Sequence, residues 1–344
     1  MDPVRVGWLG AGLIATFHSK MLRASGADAV WAGVHDLDPA RAQAFADRSG
    51  ATVCGSVAEV LDGCDAVYVC TWTSSHLELV EAAVVRGLAV FCEKPLGPDL
   101  ATARRLAQCV EDAGTVNQVG LVLRRSPALA LARSLITDDR AGRLVSFVFR
   151  DDQFIPVRGT YDSTWRADRS LAGAGTLLEH SIHDVDVIET FLGPIATVSA
   201  DQAHVHALDG IEDLVSAVLT LDDGAIGTLT SIWHDIDARP SLRRLEIFCE
   251  RRHVVVEGDW YGPVSWTDAN GDQRHVEGSE LLAEAGRRGV EDRNPDGEFV
   301  AAIQCAGAAT PTVADALRAH EVVDAVYRSC DSGARTSTRA DGGH

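Results

Sequence analysis

Three stretches of this 344-residue chain combine residue types and spacings that could do chemistry. The first is Gly10-Ala11-Gly12-Leu13-Ile14-Ala15, a G-x-G-x-x-A run. There Gly10 permits a tight turn, Gly12 lets the backbone approach a pyrophosphate, and Ala15 is small enough for close helix-on-strand packing. The free amides opening the helix at Leu13 and Ile14, with the helix dipole, then hold the phosphates. Asp36 lies 26 residues beyond Gly10, where a carboxylate accepts bonds from the adenosine ribose hydroxyls. That carboxylate repels a 2′-phosphate, and no Arg or Lys immediately follows it, so NAD is expected in preference to NADP.

The second stretch runs from Gly173 to Asp186. At 100° per residue, Glu179, His183 and Asp186 fall at about 0°, 40° and −20°, one narrow helical stripe that can point a carboxylate and an imidazole into one cleft. His180 points about 60° away from His183 and reads as packing or pocket lining. Two other readings stay open: a structural histidine tied to Asp186, and a divalent-metal site using the same three groups. The third stretch is a pair of loops, Thr71-Trp72-Thr73-Ser74-Ser75-His76 and Glu93-Lys94-Pro95-Leu96-Gly97. Each leaves the carboxyl end of an apolar run, where ligands bind in open α/β sheets. Pro95 pushes Lys94 out of helical conformation and fixes how its side chain is presented.

Elements able to position these residues follow from periodicity. Apolar runs at Val4–Leu9, Ala29–Val34, Ala66–Cys70, Leu88–Cys92 and Val116–Gly120 alternate with helical patterns at Leu13–Ala24, Pro39–Asp47, Ser75–Arg86 and Leu100–Asp112. Continuous apolar strands between amphipathic helices predict a parallel sheet covered on both faces. Ser126–Thr137 predicts a further helix, a crossover between domains. Strands then follow at Leu144–Arg150, Thr197–His206, Val215–Leu221, Ala225–Ile232, Arg243–Phe248 and His253–Glu257, with turn chemistry at Asp222-Asp223-Gly224. Their alternation suits an antiparallel sheet with one covered face. One helix interrupts them at Gly175–Phe191, and helices at Gly297–Ala306 and Val313–Ser329 close the chain. The fold class expected is an α/β Rossmann domain (1–122) followed by an α+β domain (123–334) with a large open, mostly antiparallel sheet. Residues 335–344 are expected to be a frayed tail.

Composition narrows the partners. Against 31 Lys and Arg stand 50 Asp and Glu, a net charge of −19 that repels nucleic-acid phosphates and anionic lipid. No apolar run approaches the ~18 residues a membrane span needs, and the N-terminus lacks a basic region followed by an apolar one. The eight cysteines form no C-x-x-C pair, so reduced thiols in a cytoplasmic protein are expected, with no zinc site and no bound metal.

Together, the glycine turn, both loops and the Glu179–Asp186 stretch resemble the glucose–fructose oxidoreductase / inositol dehydrogenase (Gfo/Idh/MocA) family, nearly from end to end. Glu93-Lys94-Pro95 is the most specific element of the likeness. The resemblance implies that Lys94 sits beside the nicotinamide and the reacting hydroxyl as acid/base, with His183 assisting. A lysine desolvated there, close to a cationic nicotinamide, gives up its proton more readily. The family pattern has aspartate where this chain has Glu179, and commonly proline where it has Trp72. Thr71, Thr73, His76 and Glu93 are implied cofactor neighbours, with Glu93 alternatively orienting Lys94.

Arg124, Arg125, Trp165, Arg166, His180 and Asp186 are weaker candidates for the substrate side. The polar stretch Asp151–Asp168, with Arg158, Tyr161, Asp162 and Trp165, suits a polyhydroxylated ligand as readily as an ordinary surface loop. The implied activity is NAD-dependent oxidation or reduction of a secondary hydroxyl on a sugar, inositol or related polyol. Alternatives are an NAD-recycling glycoside-cleaving enzyme and a non-enzymatic dinucleotide- or sugar-sensing regulator. A homodimer or homotetramer through the second domain's sheet is expected.

Overall fold

Val-Arg-Val-Gly-Trp-Leu at residues 4–9 buries all but Arg5, as a strand covered on both faces must. The computed structural model describes residues 2–159 and 161–339, which fall into two compact units. The first comprises residues 1–121 and 293–317. In chain order it forms β1 (Val4–Leu9), α1 (Leu13–Ser25), β2 (Ala29–His35), α2 (Pro39–Ser49), β3 (Thr52–Val53), α3 (Val57–Asp62) and β4 (Ala66–Val69). α4 (His76–Val84), β5 (Ala89–Cys92), α5 (Leu100–Ala113) and β6 (Asn117–Val119) follow. Its parallel sheet has the order β3-β2-β1-β4-β5-β6, the doubly wound Rossmann arrangement. The periodicity missed β3 and α3, a two-residue strand and a six-residue helix too short to show a period.

Register sets Trp8 beside Tyr68 and Tyr68 beside Phe91 across β1, β4 and β5. Their rings stack at 4.4 Å and 4.5 Å between centroids. Phe299 closes edge-on over Tyr68 and Phe91, at 5.6 Å and 5.7 Å. That packing brings residues 293–317 into the first unit, whereas the sequence placed them in the second domain. Val119 N–H also donates to Pro311 O, and Val313 N–H to Asn117 Oδ1.

The second unit comprises residues 122–292 and 318–344. It opens with α6 (Pro127–Ile136), capped by Ser126. A nine-stranded sheet then forms from β7 (Leu144–Phe154), β8 (Ile195–Ala203), β9 (Leu214–Leu221), β10 (Ile226–His234) and β11 (Leu242–Cys249), with β12 (Arg252–Glu257), β13 (Val264–Asp268), β14 (Gln273–Val276) and β15 (Thr336–Ser337). The order is β14-β13-β12-β11-β7-β10-β9-β8-β15, antiparallel except where β7 meets β10. This is the open, mostly antiparallel sheet expected.

Three expectations need correction. β7 continues to Phe154, paired with His234, so residues 151–154 are strand and not loop. The tail is not wholly frayed: Thr336 and Ser337 pair with Val198 and Thr197, while 340–344 lie outside the described residues. Finally, the helix expected at Gly175–Phe191 is not α-helical throughout. Its turns widen to π geometry over Leu177–Ser181 and again over Ile188–Leu192, flanking a regular stretch, Ile182–Val187. Among the described residues, no helix is long and apolar enough to cross a membrane.

Candidate active site

Within the first unit, the two glycines of the turn differ in why they are glycine. Gly10 has φ +89°, and a Cβ there would lie 2.5 Å from the carbonyl oxygen of Cys70, so the fold itself requires it. Gly12 has φ −75°, and a Cβ there would touch nothing within 4 Å. The space it leaves open faces the N-terminus of α1, which has no side-chain cap, whereas Asp38, Ser56 and Asp99 cap α2, α3 and α5. Uncapped amides, a helix dipole and a cradle left clear of side chains fit a pyrophosphate. Leu13 and Ile14 are exposed at this opening. Asp36 is fixed beside the turn. Its Oδ2 accepts from Ala11 N–H at 2.7 Å and its Oδ1 from Asp38 N–H at 2.8 Å. Each carboxylate oxygen keeps a lone pair for a ribose hydroxyl. The residues present thus fit a dinucleotide with a free 2′-hydroxyl.

The loop after β5 carries Lys94, half-buried, between buried Glu93 and buried Pro95. His76, 1% exposed, does not face outward as a groove-lining residue would. Its ring nitrogens lie 2.8 Å from Pro95 O and 3.3 Å from Thr71 O, joining this loop to the one after β4. Thr73 is also buried, and Thr71 accepts from Ser75 Oγ at 2.8 Å.

Glu93 turns inward as well. Its Oε1 lies 2.9 Å from His18 Nε2, and His18 Nδ1 lies 2.8 Å from Asp296 Oδ1. Burial works against a charge on His18, but the Asp296 and Glu93 carboxylates outweigh it and push its pKa up to about 10. Burial likewise opposes ionisation of Glu93, and the His18 bond overcomes it, holding that carboxyl below its ordinary range. Nothing in the local pattern marks His18 or Asp296, since the pair is 278 residues apart in sequence. One global signal does mark Lys94. The chain has only two lysines, Lys20 and Lys94, and every other cation among its 31 Lys and Arg is arginine.

In the second unit, the wide-turned helix is anchored at its start by Glu212. That carboxylate accepts from the Gly175 and Leu177 amides and from Tyr327 Oη, at 2.7, 3.1 and 2.9 Å. Three carboxylate-bearing or imidazole-bearing positions on this helix then find separate partners. Glu179, buried, accepts from Arg166 Nε at 3.2 Å, and the Arg166 guanidinium sits 4.4 Å over the Trp165 ring. Asp186, buried, accepts from Arg124 Nε and Nη2 at 2.8 and 2.5 Å. His180 Nε2 lies 3.2 Å from Asp151 Oδ1 and 3.2 Å from Arg243 Nη2. His183, half-buried, lies on the regular stretch between Glu179 and Asp186. The one-stripe geometry drawn at 100° per residue does not describe Glu179, because residues in a π turn advance by less. Arg125 ends the short turn Val122–Arg125 just before α6.

Beneath this helix, Arg243 is shared by three carboxylates, Asp151, Asp184 and Asp259, at 3.0, 2.5 and 2.6 Å. Burial and the charge of Asp151 push the Asp184 carboxyl well above its ordinary range despite that contact. Asp151 is held well below its own range: burial opposes this, but Arg243 and His180 prevail. Arg158, in the expected polyol loop, pairs instead with Asp235 at 3.0 Å.

Comparison with known proteins matches this architecture. Residues 4–121 match the model for the oxidoreductase family with an NAD-binding Rossmann fold, and residues 129–255 match the GFO/IDH/MocA C-terminal domain. Inositol 2-dehydrogenase of Rhizobium meliloti (strain 1021) is 30% identical over 344 residues, covering 95% of this chain and 96% of that protein. The scyllo-inositol 2-dehydrogenase (NAD(+)) of Bacillus subtilis (strain 168) is 30% identical over 272 residues, 74% and 76% of the two chains. Among solved structures, levoglucosan dehydrogenase in complex with NADH and levoglucosan superposes with a TM-score of 0.87 at 21% identity, over 98% of this chain and 100% of that one. The chain therefore belongs to the Gfo/Idh/MocA family of NAD-binding oxidoreductases.

Proposed function

We propose that the protein reversibly oxidises a secondary hydroxyl of a sugar, inositol or related polyol, with Lys94 moving the hydroxyl proton. The supporting observation is Lys94 itself, half-buried in the Glu93-Lys94-Pro95 loop at the carboxyl end of a Rossmann strand. The relatives named above act, by their names, on inositols and on levoglucosan. NAD, when bound, takes up the hydride on oxidation and returns it on reduction. Lys94 Nζ accepts the hydroxyl proton as the carbonyl forms and gives it back in reverse. His183 hydrogen-bonds the reacting hydroxyl, and Glu179, gripped by Arg166, orients the substrate. Arg125, Trp165 and His180 are assigned to the same side.

The test is a screen of inositols, sugars, sugar acids and glycosides, followed by NADH absorbance. NADH formation on a cyclitol or sugar supports the reading. Glycoside cleavage with no net NADH would redirect it to the NAD-recycling route. We also propose a homo-oligomer formed through the second unit's sheet, whose open face carries Val148, Val218, Ile226 and Phe248, all exposed.

A further inference from the structure

We propose that His18, Glu93 and Asp296 form a buried charged brace that positions Lys94, which makes His18 and Asp296 positioning residues for the proton step. The proposal rests on the reading of Lys94 given above. The geometry is a continuous chain of bonds. Asp296 holds one nitrogen of His18, and Glu93 Oε1 holds the other. Glu93 Oε2 accepts from the backbone N–H of Lys94 at 3.3 Å. Both oxygens of Glu93 are thus used, one on the brace and one on the residue it positions.

All three side chains are buried, at 0%, 5% and 0% exposure for His18, Glu93 and Asp296. They sit among aromatic rings, with His18 4.7 Å from the Phe91 ring and 5.9 Å from the Tyr68 ring. Replacing buried ion pairs by hydrocarbon of the same volume is often neutral or stabilising, so stability alone does not account for this triad. Charges kept there fix a geometry that packing alone leaves loose. Room for Glu93 is kept by Gly120, where a Cβ would lie 2.0 Å from Glu93 Oε1.

His18 also stands on α1, the helix whose N-terminus follows the Gly10–Gly12 turn. The brace therefore ties that helix to the Lys94 loop and to the returning helix Pro295–Gln304. Cofactor turn and proton-transfer group are held to one another through His18.

The chain's two lysines make the test direct. Reductive methylation with ¹³C-formaldehyde gives resonances for Lys94, for exposed Lys20 and for the α-amine, and the Lys94 signal is the one that Lys94→Arg removes. We expect Glu93→Gln, His18→Gln and the more distant Asp296→Asn each to move the Lys94 resonance, with and without NADH, and to leave Lys20 in place. The same variants lower kcat by about tenfold or more while NADH affinity stays within about threefold. A merely structural role lowers the melting temperature but leaves the Lys94 resonance of the folded protein at its wild-type position, and that result overturns the proposal. Loss of the folded state in all three variants overturns it too, placing the triad among plain stability elements. Should Lys94→Ala retain normal turnover, the proton reading fails while the resonance shifts still report the brace.

Discussion

A protonated imidazole at 0% exposure ties the stability of the first unit to pH. His18 is raised from 6.5 to about 10 on folding, so its contribution is complete below pH 6.5 and is lost as pH climbs through about 10. Glu93 is lowered, so its contribution is present above its ordinary range and fades toward acid. Thermal melts of wild type and His18→Gln should therefore differ most near pH 6.5 and converge toward pH 10. A gap independent of pH would contradict a charged His18. The shape of the glycine turn was legible in the sequence, because Gly10 and Gly12 act through local backbone geometry. Inward-facing Glu93 and His76 were not, since each side chain's direction depends on a partner outside its own segment, His18 for Glu93 and the Pro95 carbonyl for His76. The scarcity of lysine was in plain view and carries physical content. Arginine serves as a surface cation but cannot give up a proton near neutrality, so of the two side chains only lysine suits the proton transfer proposed for position 94.

The helix carrying Glu179 and His183 is the element whose details the sequence concealed. Its apolar period fits an α-helix, whereas the structure has wide turns over Leu177–Ser181 and Ile188–Leu192, the first of them anchored by neighbouring elements. One anchor is the Glu212 carboxylate at its start. Another is a hydroxyl cluster, where Ser231 of β10 meets Thr176 and Ser181 at 2.8 and 2.6 Å. Gly175 permits the first of these, because a Cβ there would lie 1.7 Å from the Glu212 carbonyl oxygen. Backbone meets backbone at that point, so no side-chain rotation relieves the clash. Gly175→Ala should destabilise the second unit by about 3 kcal/mol or more, seen as an earlier denaturant midpoint. An unchanged midpoint would show that the helix start can shift. Strands β13 and β14 escaped notice for a plainer reason: five and four residues, with Gln273, Arg274 and His275 exposed, present no apolar run.

At the scale of the whole molecule, charge and sheet patterning govern association. A net charge of −19 keeps copies apart unless a specific surface overcomes it. Register places Val148, Val218, Ile226 and Phe248 on the same face of neighbouring strands, interleaved with Thr228 and Thr230. Sedimentation of wild type at micromolar concentration should show a dimer or tetramer, and Val218→Glu with Phe248→Glu should reduce it to monomer. A wild-type monomer would contradict the oligomer reading. The alternation that predicted this sheet is a property of its strands, whereas the return of residues 293–317 to the first unit is a property of Phe299 packing, which no local pattern announces.

In the proposed reaction Lys94 moves the proton while the rest of its loop holds it in place. The direct measurement is turnover of Lys94→Arg, which keeps the charge and removes the titration, on the polyol that wild type oxidises fastest, with NADH affinity measured alongside. A loss of kcat of about 10²-fold to 10⁴-fold is expected, with NADH affinity within about threefold of wild type. Near-wild-type turnover by Lys94→Arg would contradict it.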